Sequence, residues 1–214
     1  MFLIFLGTLI IFFLLLVLVE IVHAHGKLEE YVSRKLAHAG AGVIFLLLPL
    51  WFHSGEIAVI ALAFVLGLFI SHRSGKSSIH RRDRETLGEY YYPLALGLTA
   101  ALLLPSGDWR AYTFAVAVLA FGDGMAELVG RGFGTHVVKF VAHKKTWEGS
   151  MSLFIVTFIA FILLVPEITL MVTLLGIIVS ILVMYTEIEL NRGLDNLALP
   201  ILSGGLFLLA LSLA

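Results

Sequence analysis

The sequence predicts an all-α polytopic membrane protein of about eight transmembrane helices, and three observations carry that expectation. Of the 214 residues, 60% are hydrophobic and only 14% charged, whereas a water-soluble domain carries about a quarter charged residues. Several apolar runs approach the ~20 residues that cross a bilayer as a helix. The basic residues also alternate between successive connections, which a soluble fold has no reason to produce. A transmembrane barrel would show short alternating strands instead. No internal repeat or low-complexity linker divides residues 1–214, so a single integral membrane domain is expected.

In chain order, the apolar runs are 2–22, 36–52, 57–70, 90–104, 111–122, 150–165, 168–186 and 197–214. Met1 to Val19 has no charged side chain and no basic residue ahead of the apolar stretch. A cleaved signal peptide has a positive leader and a shorter apolar core, so the first run reads as a retained helix. The third and fifth runs are short, which suggests tilting, extension into polar flanks, or partial re-entry.

The basic residues test this segmentation. The first connection holds Lys27, Arg34 and Lys35; the third holds Arg73, Lys76, Arg81, Arg82 and Arg84; the fifth holds Arg131, Lys139, Lys144 and Lys145; the seventh holds Arg192. Those are 13 of the 14 basic residues, leaving Arg110 alone on the other side. The positive-inside rule places the odd connections in the cytoplasm and both termini outside. His38, Asp123, Glu127, Glu148, Glu187, Glu189, Asp195 and Asn196 fall at the same rim. Any chemistry is therefore expected at the cytoplasmic face. A net charge of −1 gives no reason to expect a nucleic-acid partner, and the absence of cysteine excludes disulfides and thiolate chemistry.

The densest polar stretch is Phe121-Gly122-Asp123-Gly124-Met125-Ala126-Glu127. On a helix Asp123 and Glu127 share a face. Mg²⁺ takes one or two protein carboxylates and completes its shell with water and phosphate oxygens, so the pair is a candidate metal site. A helix end with solvated acids is the plainer alternative. Gly122 and Gly124 would let backbone approach a ligand. In His143-Lys144-Lys145-Thr146-Trp147-Glu148-Gly149-Ser150, lysines stand beside the free N–H groups of a helix start, a setting that suits phosphate. An ordinary positive-inside flank accounts for them equally.

Arg34 and His38 lie four apart and would share one face, with His38 available as an acid or base; Arg34 and Lys35 would otherwise be snorkelling anchors. Arg81-Arg82-Asp83-Arg84-Glu85 reads as a loop that binds anionic headgroups. Tyr90-Tyr91-Tyr92 reads as an interfacial aromatic belt, and Gly130-Arg131-Gly132-Phe133-Gly134 as a flexible connection. Gly75-Lys76-Ser77 ends like a P-loop, but Ile70 stands where the first glycine is required. Asp195 or Asn196 would cap the last helix, or make a second metal or ribose contact.

Taken together, Arg34-Lys35-x-x-His38, Leu87-Gly88-Glu89-Tyr90-Tyr91-Tyr92-Pro93, Gly122-Asp123-Gly124, Lys145-Thr146-Trp147-Glu148-Gly149-Ser150 and Leu194-Asp195-Asn196-Leu197-Ala198-Leu199-Pro200 resemble the CTP-dependent lipid kinases, the group of dolichol kinase, phytol kinase and yeast-type diacylglycerol kinase. The Gly-Asp and Lys-Thr-x-Glu-Gly pairing is also similar to phosphatidate cytidylyltransferase, whose acidic C-terminal signature is not evident. The resemblance implies transfer of the γ-phosphate of CTP to a membrane alcohol. Asp123 would hold Mg²⁺ with help from Glu127. Arg34, Lys35, Arg131, Lys144, Lys145, Thr146, Gly149, Asp195 and Asn196 would surround the nucleotide, and Glu148 or His38 would position or deprotonate the lipid hydroxyl. A cytidylyltransferase making a CDP-lipid, and a lipid transporter, are the alternatives. A transporter would place ionisable groups near the bilayer midplane, where the apolar runs have almost none.

Overall fold

The computed structural model describes residues 2–26, 28–74, 87–141 and 144–214, and most of them are helical. The basic cluster 81–85, together with Lys27, Lys76 and His143, lies outside the described residues. Among those described, eight helical rods follow the eight apolar runs. They are α1 (Phe2–Gly26), α2 (Glu30–Leu47), α3 (Ser54–Ser74), α4 (Gly88–Leu103), a continuous rod made of α5 (Trp109–Ala117) and α6 (Gly124–Phe133), α7 (Trp147–Leu164), α8 (Leu170–Glu189) and α9 (Leu194–Leu213).

Six of these are long and apolar enough to cross a membrane: Leu3–Gly26, Glu30–Leu50, Trp109–Phe133, Trp147–Leu164, Leu170–Glu189 and Leu194–Leu213. Helix α3 has 21 residues, a rise of about 31 Å. Helix α4 has 16 and continues into the 3₁₀ turn Leu104–Ser106, which together rise about 30 Å. Both therefore match a hydrocarbon core in length.

The fifth run extends into its polar flank, one of the readings its short length left open. It does not end at Gly122 but passes through a π turn, Val118–Asp123, into α6 and ends at Phe133. The polar residues that looked like a helix terminus are tolerated inside the bundle because they are paired with α2, as described below. This rod is the axis of the fold. Ala111, Tyr112, Phe114, Ala115, Val116, Val118 and Leu119 are all buried, and α2, α4, α7 and α9 pack around them. Phe114 stacks on Phe207 of α9 at 4.9 Å and meets Phe161 of α7 edge-on at 5.9 Å. By contrast α1 packs on α2 and α3 and leaves most of its apolar side chains exposed, as suits a helix solvated by lipid.

Helix starts follow local chemistry. Asp108 accepts from the Arg110 N–H, Thr146 from Gly149 and Thr169 from Val172, each satisfying a free N–H of a first turn. Gly130–Phe133, expected as a flexible connection, belongs to α6. The connection from α6 to α7 is closed by an antiparallel bridge between Val137 and Thr146. Helices α2, α4, α7 and α9 begin, and α6 and α8 end, around one end of the bundle, and a cavity opens there.

Candidate active site

The cavity has a volume of about 570 Å³ and draws its walls from α2, α4, α6, α7, α8 and α9. Of the residues proposed from sequence, Arg34, Lys35, His38, Asp123, Glu127, Arg131, Lys144, Lys145, Thr146, Gly149, Asp195 and Asn196 all line it. Counted along their helices, His38 lies eight residues from the start of α2 and Asp123 ten from the end of α6. At 1.5 Å per residue the cavity thus reaches about 12–15 Å into the bundle. Asp123 is only 5% exposed, so the site is deeper than a surface rim.

Two ion-pair clusters form its walls. In the first, adjacent residues of α2 reach across to α6. Arg34 donates to Glu127 Oε1 at 2.5 Å, and the Lys35 ammonium lies 2.5 Å from Asp123 Oδ2 and 3.2 Å from Glu127 Oε2. Arg131, one turn beyond Glu127, reaches its Oε1 at 3.0 Å and lies over the Tyr31 ring. The i, i+4 spacing of Asp123 and Glu127 turns both carboxylates to the same ammonium. The π turn ends on Asp123, and such turns are common at functional sites.

The second cluster joins three segments. Lys145, just ahead of α7, donates to Glu187 at the end of α8 and lies 3.6 Å from Asp195 at the start of α9. Ser150 donates to the other Glu187 oxygen at 3.0 Å. Burial opposes the charge on Lys145, but Glu187 and Asp195 outweigh it and hold its pKa above the ordinary lysine value. Asp123 adds to the same field, which places the two clusters within electrostatic reach of each other.

His38 occupies the inner wall. Its ring stacks on Tyr92 at 4.1 Å, and the Tyr92 hydroxyl donates to its carbonyl at 2.5 Å. Its Nδ1 is buried without a hydrogen-bond partner, so one ring nitrogen remains uncommitted. Tyr92 is 1% exposed and is no member of an interfacial belt; it is the platform that orients His38.

Three proposed residues lie elsewhere. Glu148 does not line the cavity. Its Oε1 accepts from the Thr135 N–H at 3.1 Å and hydroxyl at 2.7 Å, and from the His136 N–H at 3.1 Å. Glu148 and Ser150 are two residues apart, about 200° around a helix, and Ser150 takes the cavity side. Glu148 therefore fastens the 134–136 turn and stands outside the cavity wall. A Cβ on Gly122 would meet Leu153 at 2.6 Å, so this glycine admits α7 rather than a ligand. Gly124 has open space beside it and is not in the wall.

The last helix also departs from expectation. Neither Asp195 nor Asn196 caps α9, whose N-cap is Gly193. Asn196 instead donates to the Gly88 carbonyl at 2.8 Å. Gly193 has φ +86°, and a Cβ there would lie 2.4 Å from Gly88 Cα, so glycine is required for α4 and α9 to meet. Ser150 and Glu89 entered the sequence reading only as members of motifs, Arg192 only as a basic flank and Glu187 only within the last acidic cluster, none with a role of its own. All four line the cavity. The signal for Glu187 and Ser150 was weak, because nothing in the spacing links an acid at the end of α8 to Lys145.

Among the described residues no group of three or more histidine, aspartate or glutamate side chains is arranged to hold a metal by itself. Asp123 and Glu127 do face one another across the Lys35 ammonium. Two carboxylates suit Mg²⁺ that takes its remaining ligands from phosphate and water, and would not suit an all-protein cage.

The chain is similar to three curated proteins named for kinases of isoprenoid alcohols. It is 29% identical over 177 residues to a phytol kinase of Synechocystis sp., covering 79% of this chain and 75% of that protein. It is 32% identical over 152 residues to a chloroplastic farnesol kinase of Arabidopsis thaliana, covering 63% of this chain and 48% of that protein. The third, chloroplastic phytol kinase 1 of Arabidopsis thaliana, is 34% identical over 149 residues, with 61% and 47% covered. The chain thus spans about half the length of these plant relatives. No family model matches the sequence, and no solved structure matches the chain.

Proposed function

We propose that this chain phosphorylates a membrane alcohol, with an isoprenoid alcohol such as phytol or farnesol as acceptor and CTP·Mg²⁺ as donor, at the cytoplasmic membrane face. The observation that carries this reading is the convergence of six helices on one polar cavity at one end of an apolar bundle. Sequence similarity to phytol and farnesol kinases supports the alcohol acceptor. CTP is the donor implied by the motif resemblance, and the 13-to-1 split of basic residues supports the cytoplasmic face.

The chemistry asked of the site is charge stabilisation and positioning, because a transferring phosphoryl group needs little covalent help from protein. Asp123 and Glu127 would hold magnesium, which would supply positive charge to the phosphate oxygens. Lys145, Lys35, Arg34 and Arg131 neutralise the remainder. The alcohol oxygen forms a bond to the γ-phosphorus as the bond from that phosphorus to the β–γ bridging oxygen breaks, and the diphosphate leaves with both electrons. His38, which lines the cavity and is held in place by Tyr92, is the group we propose to receive the hydroxyl proton.

The test is turnover by the purified full chain with CTP and Mg²⁺ against phytol, farnesol, a polyprenol and diacylglycerol, with both products identified. An alcohol monophosphate together with CDP is expected. A CDP-lipid with pyrophosphate would make the chain a cytidylyltransferase.

A further inference from the structure

We infer that Lys35 occupies the place of the divalent ion in the free protein, so that the ion enters only together with the nucleotide, whose phosphates take over the lysine. This rests on reading the cavity as a metal–nucleotide site. The Lys35 ammonium lies between Asp123 and Glu127 at 2.5 and 3.2 Å and is 5% exposed on its side chain. An ion bridging those carboxylates needs the space and the lone pairs that Lys35 now holds.

Charge points the same way. Arg34, Lys35 and Arg131 face the two carboxylates, so the cluster carries +1. The charged side chains of the whole cavity, six basic against five acidic, sum to the same +1. A bare divalent ion would raise that to about +3 in a setting shielded from water, where like charges repel strongly. A metal–nucleoside triphosphate carries about −2 and would bring the sum to about −1. The four-carbon stem of Lys35 lets its ammonium leave the carboxylates and follow the phosphates without moving α2. Lys35 thus makes ion and nucleotide binding mutually dependent. Linkage requires each ligand to raise the affinity for the other by the same factor.

The experiment is electron paramagnetic resonance of Mn²⁺ with the detergent-purified full chain, using MnCl₂ alone and MnCl₂ with CTP. The Asp123→Asn variant serves as the blank for Mn²⁺ bound by CTP in solution. Wild type is expected to show protein-bound Mn²⁺ only when CTP is present. Lys35→Met is expected to bind MnCl₂ alone about tenfold or more tightly than wild type, since it removes a like charge and frees Asp123 Oδ2 and Glu127 Oε2. Lys35→Met/Asp123→Asn should lose that gain. If wild type binds MnCl₂ equally well with and without CTP, the inference is overturned, and that arm needs no variant to fold. A monodisperse Lys35→Met protein with no gain overturns it as well. Phosphoryl transfer by wild type in either case leaves the kinase reading standing. Absence of transfer to every alcohol, with no CTP-dependent Mn²⁺ signal, removes both.

Discussion

Replacing Lys145 separates its two expected roles. In the free protein its ammonium neutralises Glu187, which is 2% exposed, and lies 3.6 Å from Asp195. Removing one partner of a buried ion pair costs about 3–5 kcal/mol. Ser150 still donates to Glu187 at 3.0 Å, so Lys145→Ala is expected at the lower end, about 3 kcal/mol. For a chain of this length that is a fall of about 6–12 °C in Tm, read by thermal unfolding in detergent. Lys145→Ala/Glu187→Gln removes the stranded charge and should recover most of that loss. It should not recover turnover. If Lys145 touches the transferring phosphate, kcat stays down about 100-fold or more in both variants, at low and high salt alike. Lys139→Ala, at an exposed position, should match wild type in both assays. Recovery of stability and turnover together in the double variant would confine Lys145 to neutralising Glu187. An unchanged Tm for Lys145→Ala would refute the buried pair itself.

Asp123→Asn should abolish metal-dependent turnover, by orders of magnitude, while the bundle stays folded because Lys35 retains Glu127; near-wild-type kcat in a folded variant would remove Asp123 from the chemistry. At Gly149 a Cβ would lie 2.6 Å from the Ala126 carbonyl and 3.1 Å from Gly130 Cα. Gly149→Ala is therefore expected to push α6 from α7 and lower stability by about 1–3 kcal/mol, and an unchanged Tm would contradict that packing. Reporter fusions after successive helices should alternate, with a fusion after Lys144 reporting cytoplasm and one at the C-terminus reporting the outside. A cytoplasmic C-terminus would reverse the proposed orientation.

The helical framework was legible because membrane solvation writes itself into composition and run length. Where the reading failed, polar side chains were satisfied by partners distant in sequence. Gly122-Asp123-Gly124 looked like the end of a span, yet the helix continues to Phe133 because Lys35 and Arg34, about ninety residues earlier, pair with Asp123 and Glu127. Tyr92 looked like a membrane-interface aromatic for the same reason, since its partner is the backbone of His38, 54 residues away. The spacing of Arg34 and His38, and of Asp123 and Glu127, was readable because both members of each pair lie on one helix face. Glu148 entered through its place in the Lys-Thr-x-Glu-Gly motif; the start of α7 turns residues two apart to opposite sides, and here it sends Ser150 inward and Glu148 to the Thr135 turn.

Transfer of a terminal phosphate to a membrane alcohol in the polar cavity is tested by parallel incubation of the purified chain and phytol or farnesol with CTP labelled at the γ-phosphate and with CTP labelled at the α-phosphate. Label entering the lipid from the γ position alone, and lost in Asp123→Asn, is the expected result. Label entering from the α position, or γ-label transfer undiminished in a folded Asp123→Asn variant, would contradict it.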